Sequence, residues 1–383
     1  MLEKSIVYFG QTPSQGTGSP INILRHLLRL THEGWKVSVI AEWGQDYSEC
    51  EKYGWPVFLL PHRKTWWPPY YPNNILSRGI RMRLWANECR NFLHSNNPSA
   101  ILTYLSCYSE LPAEVAANYS ILAKIPMTAI IYDYAPAFKK ISLRQKELLA
   151  KRYRWIMHKA HQNWFVSEQL AKMYGFPASE SLVLMPMPEG YSQKAAWRQE
   201  FAQRPLIVYA GYSYNAQIPL LRDIGRRINE AGGRLLLVTG ENPEIIKLCK
   251  EEPIDFKPYF HTNKEALDFI YANAAAFLSA QCYNLEDMPW LKSSFPSKVV
   301  EFSHTGIPFL FVSPKESASY LWNEKQKLPY NLLPENLNRI NDFVNALKSP
   351  STWQDLAKPM CSLAASLFNP DTIQRRLVEH FFV

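Results

Sequence analysis

Two stretches of this chain combine residue types and spacings that could do chemistry. The first, Gly10-Gln-Thr-Pro-Ser-Gln-Gly16-Thr17-Gly18-Ser19, lies between an apolar run and a helical pattern. Glycines allow close backbone approach, and the amides at a helix start favour an anion. No Lys-Ser/Thr pair follows the glycines, so this is not a Walker-type phosphate loop. A dinucleotide fingerprint fits only loosely, because Gly16-Thr17-Gly18 is followed by Ile21 where a glycine belongs. A tight strand-to-helix turn is the plain alternative. The second stretch is Ser293 to Pro308. Pro296 and Ser297 are expected to start a helix with Lys298 in its first turn and Glu301 in its second, a spacing that puts both side chains on one face. An anion at the helix start would meet Lys298, while Glu301 could accept two vicinal hydroxyls. Gly306 ends the helix, and Ile307–Val312 re-enters a sheet.

The elements that must position these residues follow from the hydrophobic pattern. In the first half the candidate strands are Ser5–Gly10, Lys36–Ala41, Val57–Leu60, Ala100–Leu105, Met127–Tyr132, Asn163–Val166 and Leu182–Met185. Several lack polar alternation, as strands covered on both faces do. Ser19–Glu33 reads as a helix, with Ser19 as cap and Pro20 at the first helical position. Met185-Pro-Met-Pro-Glu-Gly190 breaks the pattern, and the polar stretch to Pro205 reads as a linker. Alternation resumes with strands at Leu206–Ala210, Arg234–Thr239, Ile254–Tyr259, Ala275–Ala280 and Ile307–Val312. Helices fall between them at Gln217–Ala231, Pro243–Glu251, Lys264–Asn273 and Ser297–His304. The expected fold class is α/β, with two doubly wound, Rossmann-like domains facing a central cleft. Ligands of such sheets bind beyond the carboxyl ends of the strands, which directs attention to the loops after Gly10, Leu105, Tyr132, Gly211, Thr239 and Ala280.

Composition narrows the classes. At 383 residues the chain is long enough for two or three domains, and 47% hydrophobic with 20% charged residues describes a packed globular protein. No apolar run approaches the ~18 residues of a spanning helix, and Ile6–Phe9 after Lys4 is too short for a secretory segment. A soluble, cytoplasmic protein is expected. The six cysteines are scattered, as reduced thiols are, and His158 and His161 lack nearby acidic ligands, so neither a metal nor a tightly bound cofactor is expected. The net charge of +8 sits wholly in residues 1–200, with 23 Lys/Arg against 15 Asp/Glu; residues 201–383 hold 19 of each. An anionic partner is implied for the first half. Arg144, Lys151, Arg154 and His158 fall on one helical stripe, with Leu149, Tyr153, Ile156 and Ala160 on the buried one. Lys139, Lys140, Lys146, Arg152 and Lys159 add charge nearby, as do Arg78, Arg81, Arg83 and Arg90 from a helix near Leu76–Leu93. An anionic membrane surface at the cytoplasmic face is the expected partner, a solvated basic face is the plain alternative, and nucleic acid comes third because no recognition motif is present. Trp66-Trp67-Pro-Pro-Tyr-Tyr71-Pro could stack on sugars, rest at a lipid interface or pack on its own domain.

Residues 295–308 resemble the donor-binding segment of the GT-B glycosyltransferases of the family 4 type, Phe-Pro-x-Lys-x-x-Glu-(aromatic)-x-x-x-Gly-x-Pro before a strand. The resemblance extends over most of the chain: the glycine loop and Gly34-Trp-Lys-Val37, Trp164-Phe-Val-Ser167, Leu206–Gly211, Leu235–Gly240 and Tyr271–Ser279 are similar to the family's successive elements. It implies that Glu301 binds the donor ribose, and that Phe295, Pro296, Ser297 and Lys298 lie against phosphate and sugar with Gly211 and Tyr212 nearby. Gly16, Thr17, Gly18 and Ser19 would form an acceptor or phosphate loop. Three departures stand out. The family's earlier glutamate is replaced by Ser293, placed here with Asp133 as a catalytic position. No basic residue follows Gly211, so Lys298, a metal or helix amides must meet phosphate charge. The family's His-Asp appears as Tyr132-Asp133, and Asp133 could orient a sugar hydroxyl, act as base or cap a turn.

The implied organisation is an acceptor-side domain over 1–188, a linker over 189–204, a donor domain over 205–365, and a last helix over 366–383 crossing back onto the first domain through Ile373, Leu377 and Phe381. The implied activity is transfer of a sugar from a nucleoside-diphosphate donor to an acceptor hydroxyl, retaining, in glycan or glycolipid assembly. A non-catalytic partner with the same fold is the alternative. A nicotinamide dehydrogenase has a suitable acid in Glu42, but the second half does not fit it.

Overall fold

The computed structural model describes residues 4–15, 18–61, 75–105, 110–191 and 193–381. Gly16, Thr17, the aromatic stretch Trp66–Pro72 and Cys107 lie outside the described residues. Two parallel sheets organise the chain. The first contains β1 (Ser5–Phe9), β2 (Lys36–Glu42), β3 (Val57–Leu60), β4 (Ala100–Leu105), β5 (Met127–Ile131) and β6 (Gln162–Phe165), in the order β3-β2-β1-β4-β5-β6. The second contains β7 (Leu206–Ala210), β8 (Arg234–Val238), β9 (Ile254–Lys257), β10 (Ala276–Ala280), β11 (Phe309–Val312) and β12 (Asn331–Leu332), in the order β12-β11-β10-β7-β8-β9. Both are doubly wound orders, with the connection reversing direction between β1 and β4 and again between β7 and β10. Helices cover both faces, so β1, β4 and β5 are buried along their whole lengths, which is why their sequences carry apolar runs without alternation.

The chain divides into two compact units, Met1–Met187 with Ile373–Val383, and Pro188–Thr372. Residues 189–204 are tied along the second unit: Ala195 N–H donates to the Thr305 carbonyl at 2.7 Å, Lys194 Nζ to the His304 carbonyl at 2.9 Å, and Trp197 Nε1 to the Leu347 carbonyl at 3.0 Å. A short helix, Gln199–Gln203, completes this stretch. In the first unit Ile373, Leu377 and Phe381 are buried, and Phe381 meets Trp35 edge to face at 5.4 Å.

Four expectations change. Leu182–Met185 is not a strand: a 3-10 turn covers Glu180–Leu182, and only Val183 bridges to Phe165. Pro186 and Pro188 lack the amides that would extend pairing. Gly18, not Ser19, is the N-cap of the Ser19–His32 helix, which leaves the Ser19 hydroxyl for another use. The helix near Leu76–Leu93 is two, Ile75–Glu88 and Arg90–Asn96. Arg81 and Arg152, counted with the surface charge, are buried; Arg152 pairs with Glu110 and, at 3.3 Å, with Glu114. Desolvation holds the Glu114 carboxyl up at about 7 against the pull of Arg78 and Arg152.

His26 offers a test of the packing under the last helix. It is fully buried, with Nδ1 2.8 Å from Gln374 Oε1. Burial lowers its pKa to about 4, against the opposing hydrogen bond to Gln374. Between pH 6.5 and about 4 the unfolded chain binds a proton here that the folded chain refuses, so this stability is complete above pH 6.5 and is lost as pH falls through that window. The stability difference between the protein and His26→Gln should therefore shrink on acidification from pH 7.5 to 4. Denaturant unfolding at both pH values measures it, and a pH-independent difference would contradict the assignment.

Candidate functional site

In the second unit, the carboxyl ends of β7 and β10 flank the reversal of strand order. Gly211 follows β7 with φ of 144°, a conformation open to glycine, and a Cβ built there would lie 3.8 Å from Lys298 Cγ. The loop after it is pinned by Gln217, whose Oε1 accepts from the Tyr214 amide at 2.9 Å and whose Nε2 donates to the Ala280 carbonyl at 2.9 Å. Gln217 thus ties the end of β7 to the end of β10. Tyr209 adds a second tie, its hydroxyl donating to the Tyr212 carbonyl at 2.9 Å. Tyr212 is 65% exposed and Tyr214 40% exposed. Their rings meet at 4.7 Å, and Tyr214 meets Trp290 at 5.3 Å.

The Ser297–Ser303 helix begins at Pro296 with no side-chain cap and carries the two residues singled out by spacing. Phe302, on the same helix, is buried against Phe277 of β10 at 4.8 Å, and Lys298 Nζ sits 5.5 Å from the Phe302 ring centroid. Phe295 is buried against Trp322 at 4.8 Å, which fixes the approach to the helix. Glu301 is buried, and its Oε1 accepts from Asn263 Nδ2 at 2.8 Å and from the Glu189 amide at 3.2 Å. Asn263 Nδ2 also reaches Glu189 Oε2 at 2.9 Å. Ser293 is fully buried with its hydroxyl donating to the Trp290 carbonyl at 3.1 Å, so it closes the Pro289–Lys292 turn. Gln281, at the end of β10, is also buried, and neither amide atom has a hydrogen-bond partner.

In the first unit the strand ends gather a second group. Gly10 follows β1 where a Cβ would collide with the Tyr8 phenol. The Tyr104 hydroxyl, on β4, meets Ser19 Oγ at 2.5 Å, and its ring meets Tyr132 edge to face at 5.5 Å. Asp133 follows β5, half-buried, its carbonyl accepting from the Tyr174 hydroxyl at 3.3 Å. Burial, and then the Asp133 charge, push the Tyr104 phenol well above its ordinary range. Tyr104 thus ties the end of β4 to Ser19, 85 positions earlier in the sequence.

The structure brings Gly211, Lys298 and the start of one helix together, and separately Ser19 and Tyr104, with Asp133 following β5 of the same sheet. Sequence reasoning missed Tyr104, Gln217 and Asn263. Among the described residues no group of three or more His, Cys, Asp or Glu side chains could hold a metal ion. A cavity of about 550 Å³ elsewhere in the second unit is lined by Asp223, Arg226, Tyr283 and Glu335. Two of its polar groups are already engaged, Arg226 with Glu252 and Tyr283 with Asp223.

No protein-family model matches the chain, and no curated protein matches it by sequence. Solved structures do match along its whole length. A glycosyltransferase from Rickettsia africae is 11% identical with a TM-score of 0.67, covering 100% of this chain and 98% of that one. Anabaena Alr3699/HepE in complex with UDP is 13% identical with a TM-score of 0.67, covering 98% of each chain. Acinetobacter baumannii MurG is 14% identical with a TM-score of 0.57, covering 98% of this chain and 99% of that one. With its two six-stranded parallel sheets in matching doubly wound order, the chain has the GT-B fold of these glycosyltransferases.

Proposed function

We propose that the protein is a glycosyltransferase that moves a sugar from a nucleoside-diphosphate donor to an acceptor hydroxyl, with retention, in glycan or glycolipid assembly. The observation that carries this reading is the placement of Lys298 beside Gly211 and of Glu301 one turn later, at the strand-order reversal of the second sheet. The matching Anabaena structures hold UDP and UDP-glucose. In a transfer of this kind, negative charge grows on the leaving phosphate while the sugar gains oxocarbenium character. Lys298 meets the phosphate charge. Glu301 accepts the ribose hydroxyls, displacing or sharing the Asn263 amide. Phe295, Pro296 and Ser297 form the wall beside them, and the buried Ser293 hydroxyl sets the shape of the loop. The first unit serves the acceptor: Asp133 orients and deprotonates its hydroxyl, and Ser19, held by Tyr104, helps to position it. Purified protein incubated with a panel of nucleotide sugars should release nucleoside diphosphate above the buffer rate. Binding without release would favour the non-catalytic partner that Ser293 and the lack of a basic residue just after Gly211 suggest.

A second reading concerns location. No helix among the described residues is long and apolar enough to cross a membrane. Leu76 and Leu143 are nonetheless 79% and 80% exposed, on the Ile75–Glu88 and Leu143–Met157 helices, which also expose Arg83, Arg144 and Lys151. The two helices are linked through Glu114, 3.7 Å from Arg78 Nε and 3.3 Å from Arg152 Nε. Apolar tips among basic side chains suit peripheral contact with an anionic bilayer, at about 1 kcal/mol per basic residue. Vesicles containing anionic lipid should retain the protein, with release by ~0.5 M salt. Changing Arg144, Lys151 and Arg154 together to Glu should at least roughly halve retention. Equal retention by neutral vesicles would remove the electrostatic role.

A further inference from the structure

The rim of the second sheet is ordered from one side to the other. Asn263, at the start of the helix that follows β9, holds Glu301. Lys298 lies one turn earlier on the Glu301 helix, beside Gly211 at the end of β7. Tyr212, Tyr214 and Trp290 continue from Gly211 toward the segment that follows β10. A nucleotide sugar laid along this rim with ribose at Glu301 and phosphate at Lys298 presents its sugar to the aromatic rings. The rings stand where charge would be expected: no Lys or Arg occurs from Tyr212 to Gln217, and the residue eight before Glu301 is Ser293, with its hydroxyl turned into the loop. No carboxylate reaches the sugar from position 293, no basic side chain crowds the rim after Gly211, and an aromatic face with Tyr212 exposed is present.

We infer that Tyr212, Tyr214 and Trp290 form a stacking platform for the sugar ring of the donor, so that this protein selects its sugar through an apolar ring face. The inference rests on the donor-site reading above. Tyr212 carries the test because its ring is largely in solvent, while its main chain keeps its bond to Tyr209. Stacking of this kind adds only a modest increment, so Tyr212→Ala should reduce the affinity ratio of nucleotide sugar over nucleoside diphosphate by about fivefold. Binding of the nucleoside diphosphate alone should stay within about twofold, and Tyr212→Phe, which keeps the ring, should restore the ratio. Calorimetry with UDP and UDP-glucose, then with other pairs if these do not bind, measures all three proteins. Equal weakening of both ligands, or no change in the ratio, would overturn the platform and leave the donor site standing. Failure of the unaltered protein to bind any nucleoside diphosphate would overturn the donor site itself, and the platform with it.

Discussion

Phe302→Ala is expected to destabilise the C-terminal unit by about 3–5 kcal/mol, the cost of emptying a buried aromatic site that cannot fully collapse. Phe302 is fully buried and packs on Phe277 of β10, a central strand, so its neighbours are fixed by the sheet. The same ring lies beneath Lys298 and belongs to the helix that carries Glu301. The cavity should therefore weaken nucleotide binding as well as stability, because the helix loses the anchor that sets its height over the strand ends. Calorimetric unfolding should show the loss in one of two transitions if the units melt separately. A destabilisation under about 1 kcal/mol would mean that the helix is held by something other than Phe302.

Glu301→Ala should weaken binding of nucleoside diphosphate by ~1.5–3 kcal/mol, roughly 10- to 150-fold, through loss of charge-assisted hydrogen bonds to the ribose. Its Oε1 already accepts from Asn263 and from the Glu189 amide, so the carboxylate is held in place before any ligand arrives. Glu301→Gln keeps an oxygen for those donors and removes the charge, and should fall between the two. Unchanged affinity in the alanine variant would remove Glu301 from the site.

Much of the architecture was legible in the sequence because parallel strands buried on both faces leave continuous apolar runs. β1, β4, β7 and β8 are such runs. Leu182–Met185 has the same composition, but prolines on its carboxyl side leave it without the amides a ladder needs. β12, only two residues long, is too short to show a period. The i, i+3 pair Lys298 and Glu301 could be read locally, because one helical turn is enough to bring the two side chains together. Gln217, Asn263 and Tyr104 could not. Their partners lie 63, 38 and 85 positions away, and each looks like ordinary loop, cap or core until the strands close. Arg81 and Arg152 misled in the opposite sense. Helical periodicity marks a face, but it cannot say that carboxylates such as Glu114 wait inside it.

The central claim is that the second unit binds a nucleoside-diphosphate sugar along the line from Glu301 through Lys298 to Tyr212. Thermal unfolding of the protein and of the Lys298→Ala, Glu301→Ala double variant, against a panel of nucleotide sugars, tests it most directly. A ligand at about 100 times its dissociation constant stabilises the folded state by about 2.7 kcal/mol. At least one nucleotide sugar should raise the unfolding temperature of the protein, and the double variant should lose most of that rise. No shift with any member of the panel, or an equal shift in the double variant, would contradict the account.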